Sequence, residues 1–158
     1  DVLVNSENIK NINIILAGQY FDDECYQQII SEIESRKLKP YFQIQGSVQD
    51  TAALLYNSNI GVLSSVSEGL PVSLLEYGLA GLPVVITNAG QCAEVVENGI
   101  FGKLVPSKNP EEFAWALKEL ILNESDSRSM GLAFKEHVEK TYGARQFLLN
   151  YYKFIQNV

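Results

Sequence analysis

Basic residues are scarce: twelve Lys and Arg stand against nineteen Asp and Glu, a formal net charge of −7. A general nucleic-acid binder needs a basic stripe to displace phosphate counterions, so the balance argues against that class. A small phosphorylated ligand stays open, because backbone amides at a helix N-terminus hold phosphate without a basic domain. Cysteine is scarcer. Cys25 and Cys92 lie far apart with no metal-ligand spacing, which argues against a disulfide framework and favours a reducing, cytoplasmic setting. Both thiols read as small apolar fillers. No run reaches the roughly 18 apolar residues of a membrane span, and no basic-then-apolar leader is visible. His137 is the only histidine, in a helical stretch far in sequence from any ligand loop. It reads as a solvated or packed helix residue. The serines then lack an activating base, which rules out a hydrolase triad. No strand is followed by G-x-G-x-x-G, which removes a nicotinamide dehydrogenase. Repeats and low-complexity linkers are missing too, and the length suits one domain.

What remains is ordinary globular composition, 46% hydrophobic and 20% charged. Short apolar runs at Ile12–Ala17, Tyr41–Ile44, Ile60–Leu63 and Pro83–Ile86 alternate with helical stretches at Cys25–Arg36, Asp50–Tyr56 and Val72–Ala80. Several runs lack polar alternation, as strands covered on both faces do. The alternation predicts an α/β fold, a doubly wound parallel sheet of Rossmann-like type. A fifth strand is expected at Lys103–Val105. A helical C-terminal tail follows. Asn109-Pro110 starts its first helix, with Phe113, Leu117, Leu120 and Ile121 on one face and Trp115 packing inward. A second helix is expected over Ser127–Lys140, and a third from Ala144 carries Phe147, Leu148, Tyr151, Tyr152 and Ile155 at helical spacing.

Ligands of such sheets sit outside the carboxyl ends of the strands, here the loops opening at Gly18, Gly46, Ser64 and Thr87. The densest signal is Ser64–Gly90, SSVSEGLPVSLLEYGLAGLPVVITNAG. Glu68-Gly69-Leu70-Pro71 leads into a helix whose first position suits Pro71. The unpaired amides and positive dipole end of that helix make an anion site. Gly69 admits a phosphate or sugar beside the main chain. Val72, Leu75 and Leu79 read as the buried helix face, with Glu76 at its edge, where an ionised carboxylate needs donors such as sugar hydroxyls. Glu94, after Cys92-Ala93, reads as a cap of the short helix that follows, in preference to a ligand role.

These segments resemble glycosyltransferase family 4, the group with two facing Rossmann-like domains. The resemblance rests on the pair Glu68 and Glu76 in E-x7-E spacing, on S-x-x-E-G-L-P before the helix and E-Y-G-L-A-G-L-P-V-V after it, and on E-V-V-E-N-G and G-K-L-V beyond. It runs from Ile15–Gly18 to the closing helices. It implies the donor-binding half of a retaining, hexosyltransferase-type enzyme that takes sugar from a UDP- or GDP-sugar to a glycan or lipid-linked acceptor. In that role Glu68 faces the donor sugar near the transferring carbon, as the catalytic residue. Glu76 accepts from the ribose hydroxyls. The backbone of Gly69, Leu70, Pro71 and Val72 contacts sugar and distal phosphate, and the Gly18 and Gly46–Ser47 loops border phosphates and base. No metal or further cofactor is implied.

Two departures stand out. The family carries an Arg and a Lys in its first strand–helix connection, just before a pattern like Val2-Leu3, to neutralise the diphosphate leaving group. This chain starts at Asp1, so the pair is expected to lie outside it, together with the first strand and an N-terminal acceptor domain. Lys10 is badly placed as a substitute. Without these parts the chain alone is expected to be inactive, and any membrane contact, as a peripheral cytoplasmic enzyme, belongs to the absent half. The second departure is Asn88-Ala89-Gly90, where the family more often has paired glycines. The Phe147/Tyr151/Tyr152 stripe reads first as core; the alternative is that part of it is exposed here, because in the resembling family the closing helices cross to the other domain. Two rivals remain: half of a nucleotide-sugar epimerase, which wants more ionisable residues around the sugar, and a non-catalytic nucleotide-binding module.

Overall fold

The computed structural model describes residues 3–7, 9, 11–19 and 23–156. Val2 and Lys10 lie outside the described residues. Contacts divide the chain into two compact units, Asp1–Thr51 and Ala52–Val158.

In the first unit β1 (Ile14–Ala17) and β2 (Phe42–Gln45) pair in parallel, Ile14 opposite Phe42 and Ala17 opposite Gln45. Parallel neighbours need a long crossover, which α1 (Asp23–Ser35) and a 3-10 turn at Lys39–Tyr41 supply. Cys25 on α1 is exposed and is therefore no filler.

In the second unit β3 (Gly61–Leu63), β4 (Val84–Thr87) and β5 (Lys103–Val105) form a parallel sheet in that order. α2 (Thr51–Tyr56) precedes β3, α3 (Val72–Leu79) joins β3 to β4, and α4 (Cys92–Val95) stands between β4 and β5. The tail is α5 (Pro110–Leu122), α6 (Glu124–Tyr142) and α7 (Ala144–Gln156). The fold is α/β, with parallel strands, flanking helices and a helical tail. β4 explains why its sequence reads as an unbroken apolar run: all four residues are buried, and alternate side chains feed two cores. Val84 and Ile86 join Leu74, Val95, Phe134 and Val138 on one face. Val85 joins Val105, Ala116 and Leu120 on the other. Strand positions match the sequence pattern to within two residues, and β5 coincides with it. α5 starts at Pro110 as expected, its Asn109 side chain accepting from the Glu112 amide at 3.1 Å.

Several expectations are corrected. The buried face of α3 is Leu74 and Gly78, whereas Val72 is 64% exposed and Leu79 47%. The reason is α6: a Cβ on Gly78 would come within 2.5 Å of Val138 Cγ2 and 3.1 Å of the Phe134 ring, so the missing side chain is what lets the helices close. Trp115 is exposed, with Lys118 Nζ 5.4 Å above its ring, because the inner face of α5 is set by Ala116 and Leu120. α6 extends beyond the expected span at both ends. Phe147, Tyr151 and Tyr152 on α7 are all exposed. His137 is packed, stacked on Phe101 at 4.4 Å with Nδ1 3.6 Å from a Glu97 carboxylate oxygen. Glu94 is not a cap: it lies inside α4, whose N-cap is Gln91, and in that first turn its charge complements the helix dipole. Among the described residues no helix is long and apolar enough to cross a membrane.

Candidate functional site

The site is assembled at the carboxyl ends of β3 and β4 in the second unit. After Leu63 the chain turns through Ser64–Leu70 into α3. Pro71 is the N-cap of that helix rather than its first residue: its ψ of 103° is extended, so helical geometry begins at Val72. The Pro71 carbonyl accepts from both Leu74 and Leu75 amides, at 3.1 and 3.4 Å, and no side chain caps the helix. The leading amides of an α-helix have no intrahelical acceptor, and this end, where Val72 is exposed, carries the positive dipole.

Glu68 is half-buried and accepts a hydrogen bond from Ser65 Oγ at 2.5 Å. The turn is held from the other side by the loop after β4. The Gln91 amide donates to the Gly69 carbonyl at 3.1 Å. Gly90, at φ 53°, lies flat against the Glu68 carbonyl, leaving no room for a side chain. Gly69 is the opposite case. A Cβ there would meet nothing within 4 Å, and its φ is not in the left-handed region.

Glu76 stands exposed on the second turn of α3. Its neighbour Tyr77 turns inward, filling the space over Gly61, and its hydroxyl donates to the Val62 carbonyl at 3.2 Å. That bolt fixes α3 on β3 and leaves Glu76 in solvent. Burial raises the Tyr77 pKa, and the charge of Glu76 adds to the rise. Burial likewise pushes the Cys92 thiol up; a hydrogen bond at Ala89 opposes this and the Glu68 charge reinforces it. Cys92 is a buried filler, as expected.

In the first unit the Gly18 amide donates to the Gly46 carbonyl at 3.2 Å, so Gly18 and the Gly46–Ser47 loop stand together at the ends of β1 and β2. Gly18 has open space where a side chain would be. In the second unit Glu68, Gly69, Leu70, Pro71 and Val72 form one continuous turn into α3, and Glu76 stands further along that helix. Residue patterning gave Thr87 as the opening of a ligand loop and Ser65 as the first residue of S-x-x-E-G-L-P, but missed the hydrogen bonds they make and the clamp of Gly90 on Glu68. Only the polar Thr87 closing an apolar strand was a visible signal of these contacts. Among the described residues no group of three or more His, Cys, Asp and Glu is placed to hold a metal ion.

Comparison with known proteins adds to this geometry. The family model described as Glycosyl transferases group 1 matches residues 3–137. The chain is 30% identical over 117 residues to an uncharacterized glycosyltransferase of Methanocaldococcus jannaschii, covering 70% of this chain and 28% of that protein. It is 28% identical over 120 residues to the N,N'-diacetylbacillosaminyl-diphospho-undecaprenol alpha-1,3-N-acetylgalactosaminyltransferase of Campylobacter jejuni, covering 72% and 31%. The chain thus spans about a third of the length of these relatives. Among solved structures, Anabaena Alr3699/HepE in complex with UDP-glucose superposes with a TM-score of 0.86 at 17% identity, covering 99% of this chain and 44% of that one.

Proposed function

The chain belongs to the glycosyl transferases group 1 family, and from that premise we propose that it is the C-terminal, donor-binding domain of a retaining glycosyltransferase of family 4. It takes a UDP- or GDP-hexose without a metal ion, and a separate N-terminal domain holds a glycan or lipid-linked acceptor in the cytoplasm, at the membrane surface. Glu68 faces the sugar, the backbone of Gly69–Val72 takes sugar and distal phosphate, Glu76 takes the ribose, and Gly18 with Gly46–Ser47 borders phosphates and base. The observation that carries this reading is Gly69. Neither packing nor backbone angle asks for glycine there. The open space beside it lies in the turn that joins the Glu68 carboxylate to the first amides of α3. UDP-glucose in the superposed Anabaena structure supports the choice of ligand class.

Gly69→Ala is therefore expected to leave thermal stability unchanged while weakening donor binding about tenfold or more, since the new methyl occupies ligand space. Equal affinity in the variant would remove the glycine from the site.

The direct test is titration of the isotope-labelled chain with UDP and GDP at millimolar levels in the presence of EDTA, following backbone amide shifts. Shifts at Gly18, Gly46 and Gly69–Glu76 are expected. Glu76→Ala is expected to weaken binding about a hundredfold, the loss of two hydrogen bonds to a charged acceptor. No shift with either nucleotide would defeat the reading. The chain by itself is expected to show no sugar transfer, because the acceptor domain and the diphosphate-neutralising Arg/Lys pair are assigned outside it. A measurable transfer rate from this chain alone would reverse that assignment.

A further inference from the structure

Two residues outside the proposed donor contacts decide where the Glu68 carboxylate stands. Thr87 closes β4 and is 4% exposed, the polar end of an otherwise apolar strand. Valine has at least as strong a strand preference, so strand formation alone does not account for the hydroxyl. Its proton has a definite destination: Thr87 Oγ1 donates to the Ser65 carbonyl at 2.5 Å, with the Leu63 carbonyl at 3.4 Å. Both acceptors belong to the exit of β3, so Thr87 ties the start of the Glu68 turn to the most deeply buried strand. Ser65 then passes the order on. Its side chain gives its single proton to Glu68 Oε1 at 2.5 Å, a charge-assisted bond.

We propose that Thr87 and Ser65 are positioning residues, a hydroxyl relay that holds the Glu68 carboxylate in one orientation before the donor arrives. The proposal rests on the reading that Glu68 faces the donor sugar. A carboxylate on a loop samples several rotamers, and ordering it at the moment of binding would cost affinity. With Oε1 held by Ser65, the side chain keeps one rotamer and Oε2 is left to accept from a sugar hydroxyl. The relay acts on the sugar and leaves the nucleotide alone. This separates it from a general stabilising role, which would weaken both ligands together.

Two measurements on the chain test it. In the ligand-free protein, three-bond side-chain couplings of Glu68 are expected to report one rotamer, and Ser65→Ala and Thr87→Val are expected to average them. In binding, both variants are expected to keep their affinity for UDP or GDP within about twofold. Their affinity for UDP-glucose or GDP-mannose, whichever the unsubstituted chain binds, is expected to fall about tenfold. Thr87→Ser and Ser65→Thr, which keep the hydroxyls, are expected to restore both readouts. Unchanged couplings in Ser65→Ala would overturn the relay, and so would equal losses for nucleotide and nucleotide-sugar. If the couplings average while the unsubstituted chain binds no nucleotide-sugar, the relay stands and the proposed function falls.

Discussion

Gly90→Ala is expected to weaken donor binding at least tenfold or so while leaving the core folded. Two penalties meet at this residue. Its φ of 53° is left-handed, a conformation that costs an alanine about 1–2 kcal/mol. The added Cβ would also be driven into the Glu68 carbonyl oxygen, with the Glu68 carbon 2.5 Å away and the Gly69 oxygen 3.0 Å away. All three atoms are backbone, so no side chain swings aside to relieve the contact. The Glu68–Gly69 peptide has to move by about 1 Å, a displacement that at a reacting centre can cost a hundredfold. The movement also breaks the bond from the Gln91 amide to the Gly69 carbonyl. Gly69→Ala is the matched comparison for stability and not for binding, because its methyl meets no protein atom within 4 Å and weakens the donor only by taking ligand space. A Gly90→Ala chain that binds UDP or GDP within about twofold of the original would detach the Glu68 turn from the donor site.

The contrast between these two glycines also marks what a sequence can and cannot tell. Among the described residues, the alternation of apolar runs and helical stretches placed β1 to β4, because burial on both faces leaves a compositional trace at every residue of a strand such as Val84–Thr87. The Asn109-Pro110 helix start was legible for a similar reason, since cap chemistry is local. The face of α3 was not. In eight residues Val72, Leu75 and Leu79 read as one apolar stripe, of which only Leu75 packs against the core, and half of the buried face is Gly78, whose contribution is the side chain it lacks. Trp115 misled in the same way, one residue and some 100° of helix rotation from Ala116. The candidate site was legible as a segment, and its clamps were not. Thr87 meets Ser65 across 22 residues of sequence, and Gly90 meets Glu68 across the same distance. Those contacts follow from the register that sets Leu63 opposite Ile86, which no local pattern encodes.

Phe134→Ala is expected to destabilise the second unit by about 3–5 kcal/mol, the usual cost of emptying a buried aromatic site. In a unit of this size that lowers the melting temperature by about 10–20 °C. Phe134 is fully buried, in one cluster with Leu74, Val84 and Ile86, so few neighbours are free to collapse into the cavity. The consequence reaches the site through α3. That helix has eight residues, well under the roughly 12–15 an isolated helix needs for even marginal stability. Its inner face, Leu74 and Gly78, rests on Phe134 and Val138 of α6. The segment that presents Glu76 and the free amides after Pro71 is therefore propped by a helix from the tail. Native-state hydrogen exchange checks this directly. In Phe134→Ala the amides of α3 and α6 are expected to lose protection together, by a common opening, while those of β1 and β2 keep theirs. Full protection of α3 in a chain whose α6 has loosened would mean that Tyr77 and its bond to Val62 hold the helix unaided.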